Sequence, residues 1–526
     1  MASTSYPNEL AVLSSPAVSE PVETQAAEKH SYGQILKSSV LVGGSSFLNI
    51  GIGIIRTKAL AVLLGPGGFG LFGLFGSVAD LTQNIAELGV NSSGVRQIAE
   101  AVGTGDRITI ARTAAILRRT SIVLGAFGAA FLILFSKQVS KITFGGTEEA
   151  LPISLLSLVV LFKIVSAGQA SLIQGTRRIA DLAKMSVLGA LFGVFTAIPL
   201  IYFFREKGVV PSLVSVAGMT ILTSWWYSRK IAVEKVTVTF AEVRKEASAL
   251  LKLGSVFMAS GFMTMGVAYF VRIAVLRMVG YEATGLYQSA WNLGGFYVGI
   301  ILQAMGADFY PRLTASINNY EEANRLVNEQ TLIGLLIAGP GVLATLTFAP
   351  LVIAMFYSAK FAAAVGVLRW ICLGATLQVV TWPMGFIAVA KGRQGFFFVS
   401  EFAWTVFAII AALFCIKHWG VEGAGVAFFC SYVLHALITY PIARHLSGFH
   451  WSASNVAMGS MFLCVIGLAF CSWYFLPFRW ATIAGIAATV WLSIYSFRAI
   501  IHLVPSESLP RPVKRLLRHC NLRAYA

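Results

Sequence analysis

Basic side chains lie inside long apolar stretches of this 526-residue sequence. A lone charge at the centre of a bilayer costs at least about 2.5 kcal/mol on insertion scales, so such residues usually face a bundle interior and mark a substrate path. The planar donor fork of arginine also matches the oxygens of a phosphate group. These residues therefore predict the binding of an anion within a membrane. They are Arg56, Lys58, Lys163, Arg272, Arg277, Arg369 and Arg498.

Three of these cations are the strongest candidates for an anion site. Arg56 and Lys58 lie in the first apolar stretch of the chain, and Arg272 lies in the stretch that opens its second half. Arg277 and Arg369 lie near the ends of their stretches, so anchoring at the membrane interface explains them nearly as well as a cavity role. We treat all five as candidate substrate-binding residues, with the first three as the predicted anion site.

Acidic side chains occur in the apolar stretches as well, at Asp80, Glu87, Asp308 and Glu401. They can pair with the cations, contact sugar hydroxyls, or bind a coupling proton or sodium ion. We favour ion pairing, with Asp80 as a candidate substrate-site counter-ion beside Arg56, Lys58 and Arg272. The histidines form no HExxH pattern and the six cysteines no CxxC pair, so we expect no metal, no cofactor and no catalytic residue.

Composition identifies the environment of these residues. Hydrophobic residues make up 57% of the chain and charged residues 12%, against roughly half and a quarter in soluble domains. Apolar stretches of about 20 residues recur along almost the whole length, and each can cross a hydrocarbon core of about 30 Å as a helix. The sequence therefore predicts an all-α polytopic membrane protein with about fourteen transmembrane helices.

These spans predict two six-helix lobes around a central cavity, followed by two further C-terminal helices. The predicted boundaries are a disordered cytoplasmic tail at 1–35, an N-lobe at 36–227, a cytoplasmic linker at 228–249, a C-lobe at 250–447, two spans at 448–505 and a basic cytoplasmic tail at 506–526.

A weak internal repeat supports the division into lobes. The segment Gly65–Phe72 (GPGGFGLF) matches Gly280–Tyr287 (GYEATGLY) without a gap, and each copy follows a span that contains basic residues. Six spans separate the copies, which predicts parallel repeats related by a pseudo-twofold axis along the membrane normal. The alternative is a chance recurrence in a chain that contains 49 glycines.

The distribution of charge predicts the orientation. The chain has 40 Lys and Arg against 23 Asp and Glu, a formal net charge of +17. Most of the basic residues outside the spans lie on the side of the termini, which the positive-inside rule places in the cytoplasm. No compact basic domain occurs in a polar segment, so nucleic acid is not an expected partner.

Five motifs, in the order Lys58–Leu71, Gln174–Arg177, Tyr310–Thr314, Ala388–Lys391 with Glu401, and His418–Gly425, carry a family resemblance. The chain resembles the Wzx-type O-antigen flippases within the multidrug, oligosaccharidyl-lipid and polysaccharide exporter superfamily. The subgroup that handles O-antigen and enterobacterial-common-antigen units is the most similar. The resemblance covers roughly 35–445, whereas the N-terminal tail and the last two spans depart from the pattern and leave the glycan open.

The resemblance implies a function and partners. Similar proteins carry an undecaprenyl-diphosphate-linked repeat unit from the cytoplasmic to the periplasmic leaflet of the bacterial inner membrane, through a cavity that opens alternately to either side. Expected partners are that lipid-linked glycan, membrane lipids, and the polysaccharide polymerase and chain-length machinery.

Three alternatives remain open. A cation-coupled multidrug exporter of the same superfamily should present acids in a largely non-basic pocket, unlike the cationic first spans here. A lipid II flippase is a nearer variant, which the motifs match less well. A membrane enzyme of glycan assembly, such as a polymerase or a glycosyltransferase, usually has a sizeable external loop, and every predicted external loop here is short.

Overall fold

The computed structural model describes residues 22–231, 236 and 261–503, and no β-strand occurs among these residues. Two 3₁₀ turns, Arg205–Gly208 and Ala359–Phe361, interrupt the α-helices. The α-helices are α1 Val22–Glu87, α2 Val90–Thr104, α3 Arg107–Leu134, α4 Ser136–Phe144, α5 Ala150–Gly175, α6 Ile179–Phe204, α7 Val209–Ser228, α8 Gly261–Met278, α9 Tyr281–Ser316, α10 Tyr320–Thr347, α11 Ala349–Phe356, α12 Ala364–Ala390, α13 Gln394–Ser447, α14 Ala453–Phe475 and α15 Phe478–Leu503.

Ten helical stretches of the described residues are long and apolar enough to cross a membrane. The predicted all-α polytopic class is therefore confirmed. Three of the ten are much too long for a single crossing, because the shortest of them has 44 residues and would extend about 66 Å as a straight helix. These three are Gly44–Glu87, Ile179–Ser228 and Gln394–Ser447.

Each of the three long stretches contains a break in the helix. Gly65 within α1 has a φ of 68° and Gly420 within α13 a φ of 58°, in the left-handed region that glycine adopts without steric cost. The 3₁₀ turn Arg205–Gly208 separates α6 from α7. Breaks at these positions allow each stretch to cross the membrane twice, and the total of about fourteen spans stays a prediction.

The amino-terminal boundary differs from the prediction. The disordered tail was expected over 1–35, but the structure begins α1 at Val22. Residues 22–35 include Glu, Gln, Ala and Lys side chains of high helix propensity, and they continue directly into the apolar part of α1. Residues 1–21, most of the predicted linker at 228–249 and the predicted tail at 506–526 lie outside the described residues.

Packing divides the described helices into two groups. Helix α3 packs along α5 and α6 along α7, whereas α9 and α13 pack along α12. Helix α1 connects the groups, because it packs against both α6 and α9 and also touches α11. The first group has a core that includes Leu132, Ile153 and Val160, and a larger core extends from Leu60 through the second group.

The last two helices pack beside α10. A Cβ atom added at Gly339 of α10 would lie 2.3 Å from the ring of Phe462 in α14, and one at Gly485 of α15 would lie 2.7 Å from Thr347 in α10. Small residues allow such close approach between membrane helices. The α14–α15 pair is thus an integral part of the second group rather than a loose extension.

Candidate functional site

A cavity of about 740 Å³ lies between the first part of α1 and the helices α8, α9, α12 and α13. Its wall combines apolar and aromatic side chains with uncharged polar groups. No acidic or basic side chain belongs to this lining in the part of the chain that the structure describes. The polar and aromatic lining residues include Asn49, Thr57, Tyr287, Trp291, Asn292, Tyr357, Gln378, Trp404, Phe428, Ser431 and Tyr432.

Arg272 lies directly behind this wall. Its side chain is buried, with 7% exposure, and its Nη1 atom donates to the carbonyl oxygen of Ala268 at 2.9 Å. The Nε atom donates to Oε1 of Gln288, and the guanidinium carbon lies 6.0 Å from the ring centroid of Trp291. Ala268 and Trp291 both line the cavity whereas Arg272 does not, so Arg272 lies next to residues of the lining.

Arg56 belongs to the part of α1 that borders the same cavity. Its neighbours Ile54 and Thr57 line the cavity, although Arg56 itself does not. The Nε atom of Arg56 is buried and has no hydrogen-bond partner among the described residues. A guanidinium N–H in this position can donate to an additional acceptor, such as a ligand oxygen.

Lys58 binds the end of a short helix rather than the cavity. Its Nζ atom donates to the carbonyl oxygens of Ala354 and Met355 at 2.9 and 2.8 Å, in the last turn of α11. The carbonyl groups at a helix C-terminus lack partners within the helix and carry partial negative charge. Lys58 therefore joins the first span of the chain to a helix in its second half.

Arg277 makes the reciprocal contact from the second half of the chain. It donates to the carbonyl oxygens of Lys141, Ile142 and Thr143, in the last turn of α4. Lys58 and Arg277 lie in spans that open the two halves, and each binds the C-terminus of a short helix in the other half. We call these two contacts the hairpin clamps.

The two copies of the sequence repeat pack against each other beside the clamps. A Cβ atom at Gly285 would lie 1.8 Å from the carbonyl oxygen of Pro66, and one at Gly70 would lie 2.8 Å from the backbone nitrogen of Gly285. Gly70 and Gly285 occupy the same position in the two copies. This arrangement is what a pseudo-twofold axis between the copies would produce.

Arg369 and Asp80 each have a partner on a neighbouring helix. The guanidinium of Arg369 stacks over the ring of Trp473 in α14, 3.8 Å from its centroid. Asp80 pairs with another embedded cation, Lys163 of α5, at 2.6 Å, and its charge also acts on Arg272. Asp80 lies beyond the break at Gly65, in the part of α1 that follows the segment of Arg56 and Lys58.

The sequence analysis missed uncharged residues in and beside the cavity. Trp404 is 8% exposed and lines the cavity, and its Nε1 atom is buried without a hydrogen-bond partner among the described residues. Gln288, which accepts from Arg272, is likewise buried. Amides and tryptophans inside apolar spans are the signal that could have indicated them, because each buried N–H or C=O needs a partner.

The fold and the cavity define a class, the multi-pass helical membrane transporters. Within this class, residues 35–317 match the family described as polysaccharide biosynthesis protein. The chain belongs to that family.

Two curated relatives align over most of the chain. The lipid III flippase of Escherichia coli (strain K12) is 20% identical over 404 residues, covering 76% of this chain and 96% of the relative. A putative O-antigen transporter of Shigella flexneri is 24% identical over 389 residues, covering 72% of this chain and 90% of the relative. Both alignments extend beyond the segment matched by the family.

Solved structures share the fold. The inward-facing conformation of a multidrug resistance MATE family transporter of the MOP superfamily gives a TM-score of 0.62 at 17% identity, covering 75% of this chain and 93% of that protein. The lipid II flippase MurJ in an inward closed conformation gives 0.62 at 14% identity, covering 89% and 100%. The predicted family resemblance is confirmed, and these two structures support the fold alone.

Proposed function

We propose that this protein is a flippase that moves an undecaprenyl-diphosphate-linked oligosaccharide from the cytoplasmic to the periplasmic leaflet by alternating access. The observation that carries the proposal is the buried guanidinium of Arg272 behind the wall of a cavity between transmembrane helices. The family match and the two curated relatives support the same function. We propose transport without catalysis, since the compared proteins are named for transport.

The cavity and Arg272 fit the physical problem that such a substrate poses. A diphosphate and a hydrated glycan cannot enter hydrocarbon without a large desolvation cost, whereas a polyprenyl tail remains in the lipid. A cavity among the helices whose wall carries polar groups lowers that cost for the head group. Outward movement of an anion across a membrane that is negative inside is also favoured by about 2.3 kcal/mol per charge per 100 mV.

We propose Arg272 and Arg56 as the diphosphate site. In the described structure, Oε1 of Gln288 accepts a hydrogen bond from Nε of Arg272. After a rotamer change of Gln288, a phosphate oxygen would occupy the position of this Oε1 atom. The partnerless Nε of Arg56 provides a second donor. Lys58, Arg277 and Arg369 are engaged by helix ends or by Trp473, so we assign them structural roles.

The hairpin clamps fit the alternating-access part of the proposal. Each clamp joins the span before one repeat hairpin to a short helix of the other half, and the two hairpins approach closely at Gly70 and Gly285. We propose that this end faces the periplasm and that the clamps must open before the substrate can leave. Release of two cations from helix ends is a change that a rocking motion between halves can produce.

We propose an inner-membrane location with both termini in the cytoplasm. This orientation places α4 and the hairpin at Gly65 on the periplasmic side and the turn at Arg177 on the cytoplasmic side. A periplasmic reporter enzyme fused after Gly145 should be active, and the same reporter fused after Arg177 should be inactive. The reverse pattern would contradict the orientation.

A substrate comparison tests the proposed function against its nearest alternative. Purified protein in vesicles should exchange a diphosphate-linked oligosaccharide between leaflets and should not drive uptake of an organic cation under a proton or sodium gradient. Uptake of the cation without exchange of the lipid would support a multidrug exporter instead. The described lining already lacks the carboxylate that a site for organic cations would be expected to contain.

A further inference from the structure

The geometry points to a glycan-binding subsite on the aromatic wall of the cavity, distinct from the diphosphate site at Arg272. This inference rests on the proposed function and deepens it, because it names the part of the substrate that the cavity itself holds. The ligand class is a neutral pyranose carrying free hydroxyl groups. The subsite centres on Trp291, Trp404 and Tyr432, and α1 contributes Asn49 to the same cavity.

The first observation is a continuous row of aromatic rings that runs along the wall. Trp291 contacts Phe428 at a ring-centroid distance of 5.4 Å, Phe428 contacts Tyr432 at 5.0 Å, and Tyr432 contacts Trp404 at 6.0 Å. All four residues line the cavity. Aromatic faces provide rigid apolar surface, which suits the C–H face of a sugar ring.

The second observation is that two lining residues each carry a buried hydrogen-bonding atom without a partner. Nε1 of Trp404 is a buried donor, and Oδ1 of Asn49 is a buried acceptor, and neither has a partner among the described residues. Such groups cost free energy in an apolar interior unless a ligand or water binds them. A ligand in the cavity reaches these atoms after a change of side-chain rotamer, and it satisfies both residues only if it can accept and donate.

These two groups distinguish between classes of ligand. A sugar carries several hydroxyl groups, each of which donates and accepts, so such a ligand can satisfy both Trp404 and Asn49. An ionised diphosphate only accepts, and the described lining offers it no cation. An organic cation could stack on the aromatic rings, but it would offer no acceptor to the indole N–H. A neutral polyol is therefore the class that matches the lining.

The position of the row relative to Arg272 matches the connectivity of the substrate. Trp291, at one end of the row, lies 6.0 Å from the guanidinium of Arg272. A diphosphate bound at Arg272 would therefore place its first sugar at Trp291, and the following sugar towards Tyr432 and Trp404. Charge and hydroxyl groups would be recognised by adjacent but separate surfaces.

The test uses two lipid probes that differ only in their sugar. Equilibrium binding to the full-length protein in nanodiscs is measured for radiolabelled undecaprenyl diphosphate and for undecaprenyl diphosphate carrying a disaccharide. Trp404→Phe retains an aromatic ring and deletes the N–H. We expect it to weaken binding of the glycosylated probe by about three- to tenfold, the effect of one hydrogen bond, and to leave the sugar-free probe unchanged. Asn49→Ala should produce the same selective loss.

Trp473→Phe is the matched control. Its Nε1 atom is also buried without a partner among the described residues, but Trp473 lies in α14 beside Arg369 and does not line the cavity. We expect no change for either probe.

Three outcomes are decisive. An equal effect of Trp404→Phe on both probes, or no effect on either, would overturn the glycan subsite while leaving the proposed function standing. Failure of the unsubstituted protein to bind either diphosphate lipid would instead contradict the proposed function and the subsite together. A selective loss for the glycosylated probe in both variants would support the inference.

Discussion

Arg272→Gln should lower the rate of leaflet exchange by at least about tenfold, because a charge-assisted hydrogen bond contributes about 1.5–3 kcal/mol and each 1.4 kcal/mol is a factor of ten. Gln retains a polar side chain but leaves the phosphate charge without a cation in a site of low dielectric constant. Arg272→Lys should retain partial activity, since the charge survives and the donor fork is lost. Exchange in reconstituted vesicles, normalised to protein abundance, measures both effects.

The structure makes this experiment interpretable. Asp80 keeps its 2.6 Å ion pair with Lys163 when Arg272 is replaced, so no strongly paired carboxylate loses its partner. Arg325→Gln is the matched control, because Arg325 is exposed and pairs with Glu322 and Glu329 on its own helix. We expect that variant to transport normally. A normal rate in abundant Arg272→Gln protein would exclude Arg272 from the diphosphate site.

Opening of the hairpin clamps is the second large expected effect. Lys58→Met and Arg277→Met each remove charge-assisted bonds to a helix C-terminus, worth about 1.5 kcal/mol or more per contact. The end of the protein that carries the hairpin clamps, which we propose faces the periplasm, should then open more often. We expect the double variant to increase labelling of a cavity cysteine, introduced as Ile54→Cys in a chain whose own cysteines are replaced, by at least about tenfold.

The measurement is the rate of reaction with a membrane-impermeant maleimide added from the periplasmic side. Arg96→Met provides the control, since Arg96 pairs with Glu100 one turn away on an exposed face of α2. That variant should label at the rate of the parent chain. An unchanged rate in the double clamp variant would show that the clamps do not control access from this side.

The helical spans and the glycine breaks were predictable from the sequence, because both follow from local composition. Stretches of about 20 apolar residues indicate spans, and Gly65 and Gly280 end two of them. The structure gives both glycines a positive φ, 68° and 116°. The helical start at Val22 was missed because the polar composition suggested disorder there. The residues that follow Val22 have high helix propensity and continue directly into the apolar part of α1, which favours a helix.

The partners of the embedded charges were not predictable, because they depend on helix rotation and on long-range packing. The sequence placed Arg56 and Asp80 in two consecutive spans, and only the packing of the second part of α1 against α5 shows that Asp80 pairs with Lys163. Lys58 and Arg277 were recognised as embedded cations. Their acceptors are carbonyl groups at the C-terminal ends of α11 and α4. The residue pattern of the two spans that carry these cations gives no indication of such distant partners.

The uncharged part of the site was missed for a different reason. Trp404, Phe428 and Tyr432 occur in an apolar run, where an inward-facing aromatic residue and a lipid-facing one have the same sequence appearance. A search for charge therefore finds the surroundings of the cavity and not its lining. The tertiary structure is needed to show which face of α13 the cavity contacts.

Leaflet exchange by the purified protein tests the central proposal most directly. Vesicles are prepared with a fluorescent undecaprenyl-diphosphate-linked oligosaccharide in both leaflets, and a membrane-impermeant reductant is added outside. We predict that the reductant destroys only the outer-leaflet fluorescence in vesicles without protein, and nearly all of the fluorescence in vesicles that contain the unsubstituted chain. With Arg272→Gln, the inner-leaflet fluorescence should be lost at least about tenfold more slowly. The same residual fluorescence with and without the protein would contradict the proposal that it is a flippase.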